Sequence, residues 1–279
     1  MLFYPRKQHA YQFKITPDCV NCHAFGVPAT NCSYSPFIMP RTSYFLILLV
    51  IPDIMSLAKK VLSRERSDRK VITMIIIVDY NAGNLTSVKR ALDYLSIPSE
   101  ITPDPGKIRS AEKIIFPGVG HATSAMQTLR QRGLDAALHE AFSGGTPILG
   151  ICLGTQVILS SSEETDLPCL DLIKGTNPRF VLSDPGLKIP HMGWDSIKIR
   201  KSHPVLSDIK VNDEFYFVHS FYPQPENEND IYAVGEYEIV FPVVIGRNNL
   251  IATQFHPEKS GPVGLQLLIN FSSWDGSPC

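Results

Sequence analysis

The sequence predicts an α/β fold: a mostly parallel central sheet with helices on both faces and an antiparallel extension. Two observations carry this. From Met74 short β-branched runs alternate with stretches of helical spacing, and beyond Lys188 the pattern turns strand-rich until a closing helix.

The first strand is Met74-Ile75-Ile76-Ile77-Val78, ended by Asp79. Leu85, Val88, Leu92 and Leu95 follow at helical spacing, with Asn84 placed to cap that helix. Lys113-Ile114-Ile115-Phe116 reads as a strand, 123–142 as one helix, and Pro147-Ile148-Leu149-Gly150-Ile151 as a buried strand. The strand-rich part holds Ile197-Lys198-Ile199, Phe215-Tyr216-Phe217-Val218, Val243-Val244-Ile245 and Leu250-Ile251-Ala252. A helix near 263–271 closes the chain.

The chain divides at residue 73. Residues 1–73 show no sustained period and scatter six prolines, and they end in a basic, polar stretch from Lys59 to Lys70. Three readings stay open for this segment: a disordered extension, an organelle transit peptide, or sequence upstream of a true start at Met74. Residues 74–279 then carry the domain. The pattern Cys19-Val20-Asn21-Cys22-His23 matches covalent haem attachment, but no helical domain surrounds it. With Cys32 these residues make at best three zinc ligands. No metal and no cofactor are therefore expected.

A net charge of −1, with 26 Lys+Arg against 27 Asp+Glu, leaves no global field to hold nucleic acid. The longest apolar run, Phe45 to Ile51, is far below the ~20 residues of a membrane-spanning helix and lies too far in for a signal peptide. Neither nucleic acid nor a membrane is an expected partner. Six cysteines, only two of them inside the main body before terminal Cys279, make no disulfide framework. A reducing, cytoplasmic setting fits them.

Gly150-Ile151-Cys152-Leu153-Gly154 joins a buried strand to a helical pattern. Glycines on both sides of a nucleophile permit a sharp turn that leaves an exposed thiol at a helix N-terminus, where the dipole favours thiolate. The alternative is a core cysteine among small residues. Gln254-Phe255-His256-Pro257-Glu258 supplies a base. Pro257 keeps His256 extended, so His256 and Glu258 project together, and Glu258 fixes the imidazole tautomer while the other nitrogen takes the thiol proton. The alternative is a surface turn without a partner. Pro117-Gly118-Val119-Gly120 ends another strand, where free N–H groups, that of Val119 with that of Leu153, form an oxyanion hole.

These three strings together resemble the class I glutamine amidotransferases, whose Cys-His-Glu triad releases ammonia from glutamine. Ile189-Pro190-His191-Met192-Gly193-Trp194, Phe215-Tyr216-Phe217-Val218-His219-Ser220 and Gln254 to Ser260 resemble, within that family, the glutaminase subunits of imidazole glycerol phosphate synthase. The resemblance runs from Met74 to about Phe271. It implies the amidotransferase form of the fold, with Cys152, His256 and Glu258 as catalytic residues. It implies further that Gly120, Gln156, Glu164 and Ser220 hold glutamine, and that Asn84, Trp194, Tyr216 and Lys259 lie near a separate, barrel-shaped cyclase subunit. The two would form a heterodimer in histidine biosynthesis, since no barrel follows Phe271. The chain departs from the family at Asn81, Thr155, Asp195 and Phe221, none of them in the triad.

The triad alone does not separate this branch from the glutaminases of anthranilate, carbamoyl phosphate or pyridoxal phosphate synthases. A Cys-His peptidase on a related sheet is the rival of another class, and glutamate release without peptide cleavage distinguishes it.

Overall fold

The computed structural model of the chain describes residues 73–81 and 83–278. The expectations for the N-terminal segment, the Cys19 to His23 pattern among them, lie outside the described residues.

Four strands open the fold: β1 (Ile75–Val78), β2 (Ser99–Thr102), β3 (Lys113–Gly118) and β4 (Ile148–Cys152). Between them lie α1 (Leu85–Tyr94), α2 (Pro105–Arg109), α3 (Ala122–Gln131) and α4 (Leu134–Ser143). After β4 come α5 (Leu153–Val157), the two-residue β5 (Gly175–Thr176), β6 (His191–Ser196), β7 (Lys198–Ile199) and β8 (Glu214–His219). The chain closes with β9 (Gln224–Pro225), β10 (Ile231–Tyr237), β11 (Ile239–Arg247), β12 (Leu250–Thr253) and α6 (Gly261–Ser273).

Eight strands form the main sheet in the order β2-β1-β3-β4-β12-β11-β10-β7. The first five run parallel, and β11, β10 and β7 add an antiparallel extension. This is the expected architecture. Side chains alternate between two cores because successive strand residues point to opposite faces. Ile76, Val78, Ile114, Phe116 and Ile148 pack with Leu129 and Leu138 of α3 and α4. Ile75, Ile77, Ile115, Leu149 and Ile151 pack with Leu92 of α1 and Leu267 and Phe271 of α6. Strands covered on both faces are apolar throughout, which is why β1, β3 and β4 read as unbroken runs.

The sequence reading did not include β2, α2 or β6, and it differs from the structure at three further points. The helix expected over 123–142 is two helices, divided at Gly133, which takes a left-handed φ of 65° and starts α4. Strand β10 lacks a clean period in its sequence and acquires its identity from pairing with β11 and β7. Asn84 stands at the N-cap position of α1 with φ 64°, yet its side chain makes no capping bond. Among the described residues no helix is long and apolar enough to cross a membrane.

Candidate active site

The parallel sheet brings β3, β4 and β12 side by side, so their C-terminal ends meet: Gly118 is paired in register with Cys152, and Ile151 with Thr253. Ligands in open parallel sheets bind at this end of the strands.

Cys152 ends β4 and starts α5 with φ 53° and ψ −106°, a left-handed strain carried by a non-glycine residue. The flanking glycines therefore do not provide the turn themselves. They permit close approach: a Cβ on Gly154 would stand 1.9 Å from the Phe116 carbonyl oxygen, and one on Gly150 would stand 2.8 Å from Ala252 Cβ. The thiol, expected to be exposed, is buried, with Cys152 only 6% exposed, and opens only into a cavity that it lines.

That cavity, of about 230 Å³, is lined by Val119, Gly120, Cys152, Leu153, Gln156, Glu164 and Ser220, among others. Each residue expected to hold glutamine or to form the oxyanion hole is thus present at one cavity. Glu164 is anchored there by the N-terminus of α3, its Oε2 accepting from the Ala122 N–H at 2.7 Å. Gln156 donates from Nε2 to the Phe221 carbonyl at 3.0 Å and to Gln254 Oε1 at 3.2 Å.

His256 leaves β12 in an extended conformation, as Pro257 requires, but Glu258 lies in a 3-10 turn over Pro257–Lys259 and not in a continued strand. The turn still brings the pair together: His256 Nδ1 and Glu258 Oε1 are 2.8 Å apart, both side chains 1% exposed. Nδ1 is thereby committed to the carboxylate, and Nε2 is left for Cys152. Apart from Cys152, Nε2 has no hydrogen-bond partner among the described residues. Burial pulls the His256 pKa down, but the neighbouring Cys152 and then Glu258 outweigh it and push it up to about 9. A protonated imidazole beside Cys152 is the state this favours.

Two further residues at the site, Gln254 and Tyr80, carried no role in the sequence reading, and a third, Asn84, carried a different one. Gln254, fully buried, directs Nε2 at Cys152 Sγ from 3.8 Å. Tyr80 places its hydroxyl over Gly118, where a Cβ would come within 1.9 Å of it, and has no hydrogen-bond partner among the described residues. Burial, and then the Cys152 charge, hold that phenol protonated far above its usual range. Asn84, expected to cap α1 and to lie near a partner, donates from Nδ2 to Glu258 Oε1 at 2.7 Å. The signal for Gln254 was its place two residues before His256. None existed for the other two, whose roles depend on contacts distant in sequence.

The remaining expected partner-facing residues form one group on the surface. Trp194 is half-exposed and meets Tyr216 edge-on at 5.9 Å, directly across the β6–β8 register, with Lys259 Nζ 5.7 Å above the Tyr216 ring. The backbone ties this group to the site, because the His256 N–H donates to the Tyr216 carbonyl at 2.9 Å. Asp195 is not free at this surface, since its Oδ2 lies 2.6 Å from His191 Nε2. No cluster of His, Cys, Asp or Glu fit to hold a metal occurs among the described residues.

Comparison with known proteins agrees with this geometry. Residues 76–273 match the family model of the class-I glutamine amidotransferases. The imidazole glycerol phosphate synthase subunit HisH of Moorella thermoacetica is 46% identical over 198 residues, covering 71% of this chain and 93% of that protein. The subunit of the same name from Nitratidesulfovibrio vulgaris is 47% identical over 203 residues, covering 71% and 95%. In fold, the chain is similar to the crystal structure of a glutamine amidotransferase, with a TM-score of 0.54 at 17% identity over 70% of this chain and 98% of the other. PurLQS from Thermotoga maritima gives 0.56 at 15% identity over 71% and 97%. With its strained cysteine, its His-Glu pair and nearly the whole length of these relatives matched, the chain belongs to the class-I glutamine amidotransferase family.

Proposed function

We propose that this chain is the glutaminase subunit of an imidazole glycerol phosphate synthase, hydrolysing glutamine and passing ammonia to a separate cyclase subunit. The observation that carries the chemical half is the pairing of His256 Nδ1 with Glu258 while Nε2 is left to Cys152 alone. The relatives named HisH, at 46% and 47% identity, support the choice of branch.

In this reading Glu258 holds His256 in the tautomer whose Nε2 takes the Cys152 proton. The thiolate attacks the side-chain carbonyl carbon of glutamine bound at Gly120, Gln156, Glu164 and Ser220. The N–H groups of Val119 and Leu153 receive the oxyanion of the tetrahedral intermediate. His256 returns its proton to the leaving nitrogen, ammonia departs, and water activated by His256 hydrolyses the glutamyl thioester to glutamate. Trp194, Tyr216 and Lys259 form the face presented to the cyclase, and Asn84 adjoins it through Glu258.

The same reading makes the isolated chain slow. We propose a switch at the Gly118–Val119 peptide: a Val119 N–H turned away from the oxyanion position at rest would leave the intermediate without a donor, and cyclase carrying its nucleotide ligand would favour the turned peptide by binding it more tightly. One missing donor is worth roughly 10²–10³ in rate. Glutamate release measured for the chain alone, with cyclase, and with cyclase plus ligand tests the assignment. The expected order is a rise at each step, and equal rates in all three reject it.

A further inference from the structure

Phe221 lines the cavity, and its backbone carbonyl accepts two hydrogen bonds. Gln156 Nε2 reaches it at 3.0 Å, and His219 Nδ1 at 2.8 Å. A carbonyl cannot donate, so the amide nitrogen of Gln156 and a protonated Nδ1 of His219 must face it. The other hydrogen of Gln156 Nε2 goes to Gln254 Oε1 at 3.2 Å. Both hydrogens being used, Gln156 presents to the cavity its acceptor end, Oε1.

The chain continues away from the cavity. His219 Nε2 lies 3.0 Å from His191 Nδ1, and His191 Nε2 lies 2.6 Å from Asp195 Oδ2. His219 is buried, and burial pushes its pKa down to about 3, so the ring is neutral. With Nδ1 carrying its hydrogen, Nε2 is an acceptor and His191 Nδ1 is the donor. His191 thus fixes the tautomer of His219, while burial lowers the His191 pKa against the opposing pull of Asp195 at its Nε2.

We infer that His219, held in its tautomer by His191, is a positioning residue of the glutamine site: it fixes the Phe221 carbonyl and through it the orientation of Gln156, whose free Oε1 accepts from an N–H donor of the substrate. The inference rests on the reading of this cavity as the glutamine site. Without the His219 bond the carbonyl loses one of its two anchors and Gln156 loses its fixed orientation. The ground state and the transition state suffer alike, because Gln156 does not touch the reacting carbonyl. The loss appears in KM and not in kcat.

Asparagine can place an N–H near the position of His219 Nδ1, whereas glutamine places one near Nε2 and offers nothing to Phe221. Glutamate release by the full chain with cyclase and its ligand is to be measured against glutamine concentration for His219→Asn, His219→Gln and His219→Leu. The expected result is a KM raised about 3- to 10-fold in the Gln and Leu variants, the worth of one net hydrogen bond. His219→Asn should stay near the wild-type value, and kcat should hold in all three. If His219→Leu does not fold, the contrast of Asn with Gln decides alone. Equal KM values for those two, or a fall in kcat without a change in KM, overturns the inference. No glutamate from the wild-type complex would instead remove the glutaminase reading beneath it.

Discussion

Asn84 and His256 converge on the same oxygen: Asn84 Nδ2 and His256 Nδ1 lie 2.7 and 2.8 Å from Glu258 Oε1. The second oxygen of that carboxylate is buried and has no partner among the described residues. Glu258 is therefore oriented from two sides at one atom, by the residue before α1 and by the third residue after β12. Asn84 occupies the left-handed region, where asparagine is tolerated, and its amide is thereby free to reach across instead of capping its own helix.

Asn84→Ala should lower kcat for glutamate release about 10-fold or more, the worth of a hydrogen bond to a charged group, and leave KM for glutamine close to wild type. Steady-state kinetics of the complex, with a melting curve to show a folded protein, check this. An unchanged kcat would leave Asn84 with no role in orienting Glu258.

Cys152→Ala should remain folded and lose several powers of ten in glutaminase activity, as removal of one member of a catalytic unit does. An electrophilic glutamine analogue should label Cys152 and spare Cys169, whose thiol burial pushes up to about 11. Peptide mapping of the labelled protein reads the site directly.

His256 links stability to pH. Burial lowers its pKa, but Cys152 and Glu258 raise it from 6.5 to about 9 in the folded state. A raised pKa means stability that is fully present below 6.5 and is lost as pH rises through about 9. The melting temperature should fall between those limits, and the fall should be smaller in Cys152→Ala, which lacks the interaction with Cys152 that raises the His256 pKa. Thermal melts of both proteins across that window give the comparison.

Tyr80→Phe removes a buried hydroxyl without a partner among the described residues and keeps the ring packed on Phe116 at 5.0 Å. Removal of an unpaired buried polar group should stabilise the fold by about 1 kcal/mol. Denaturant titration measures the shift, and destabilisation would mean that the hydroxyl has a partner in solution.

We propose that residues 1–73 contribute nothing to the fold or the chemistry. A protein beginning at Met74 should match the full chain in melting temperature and glutaminase rate, and a clear loss of either would show that the segment packs on the domain.

The sequence by itself determined the sheet and singled out the candidate reacting groups. Runs such as 75–78 and 148–151 are buried on both faces of a parallel sheet, so every residue in them must be apolar, and the signal is local. The elbow at Cys152 and the pair His256 and Glu258 were legible for the same reason, since each lies within five consecutive residues. Tertiary structure alone decided what surrounds them. The strain sits on Cys152 because Phe116 and Ala252 press against its glycine neighbours, and the thiol is buried because β8 and Gln254 close over it. Asn84 serves Glu258, 174 residues away, and not the helix it precedes. His191 and His219, opposite each other in the β6–β8 register, are linked to Gln156 only through the Phe221 carbonyl that follows β8. No pattern in the sequence encodes such contacts, because hydrogen bonds between distant segments depend on where the sheet places its strand ends.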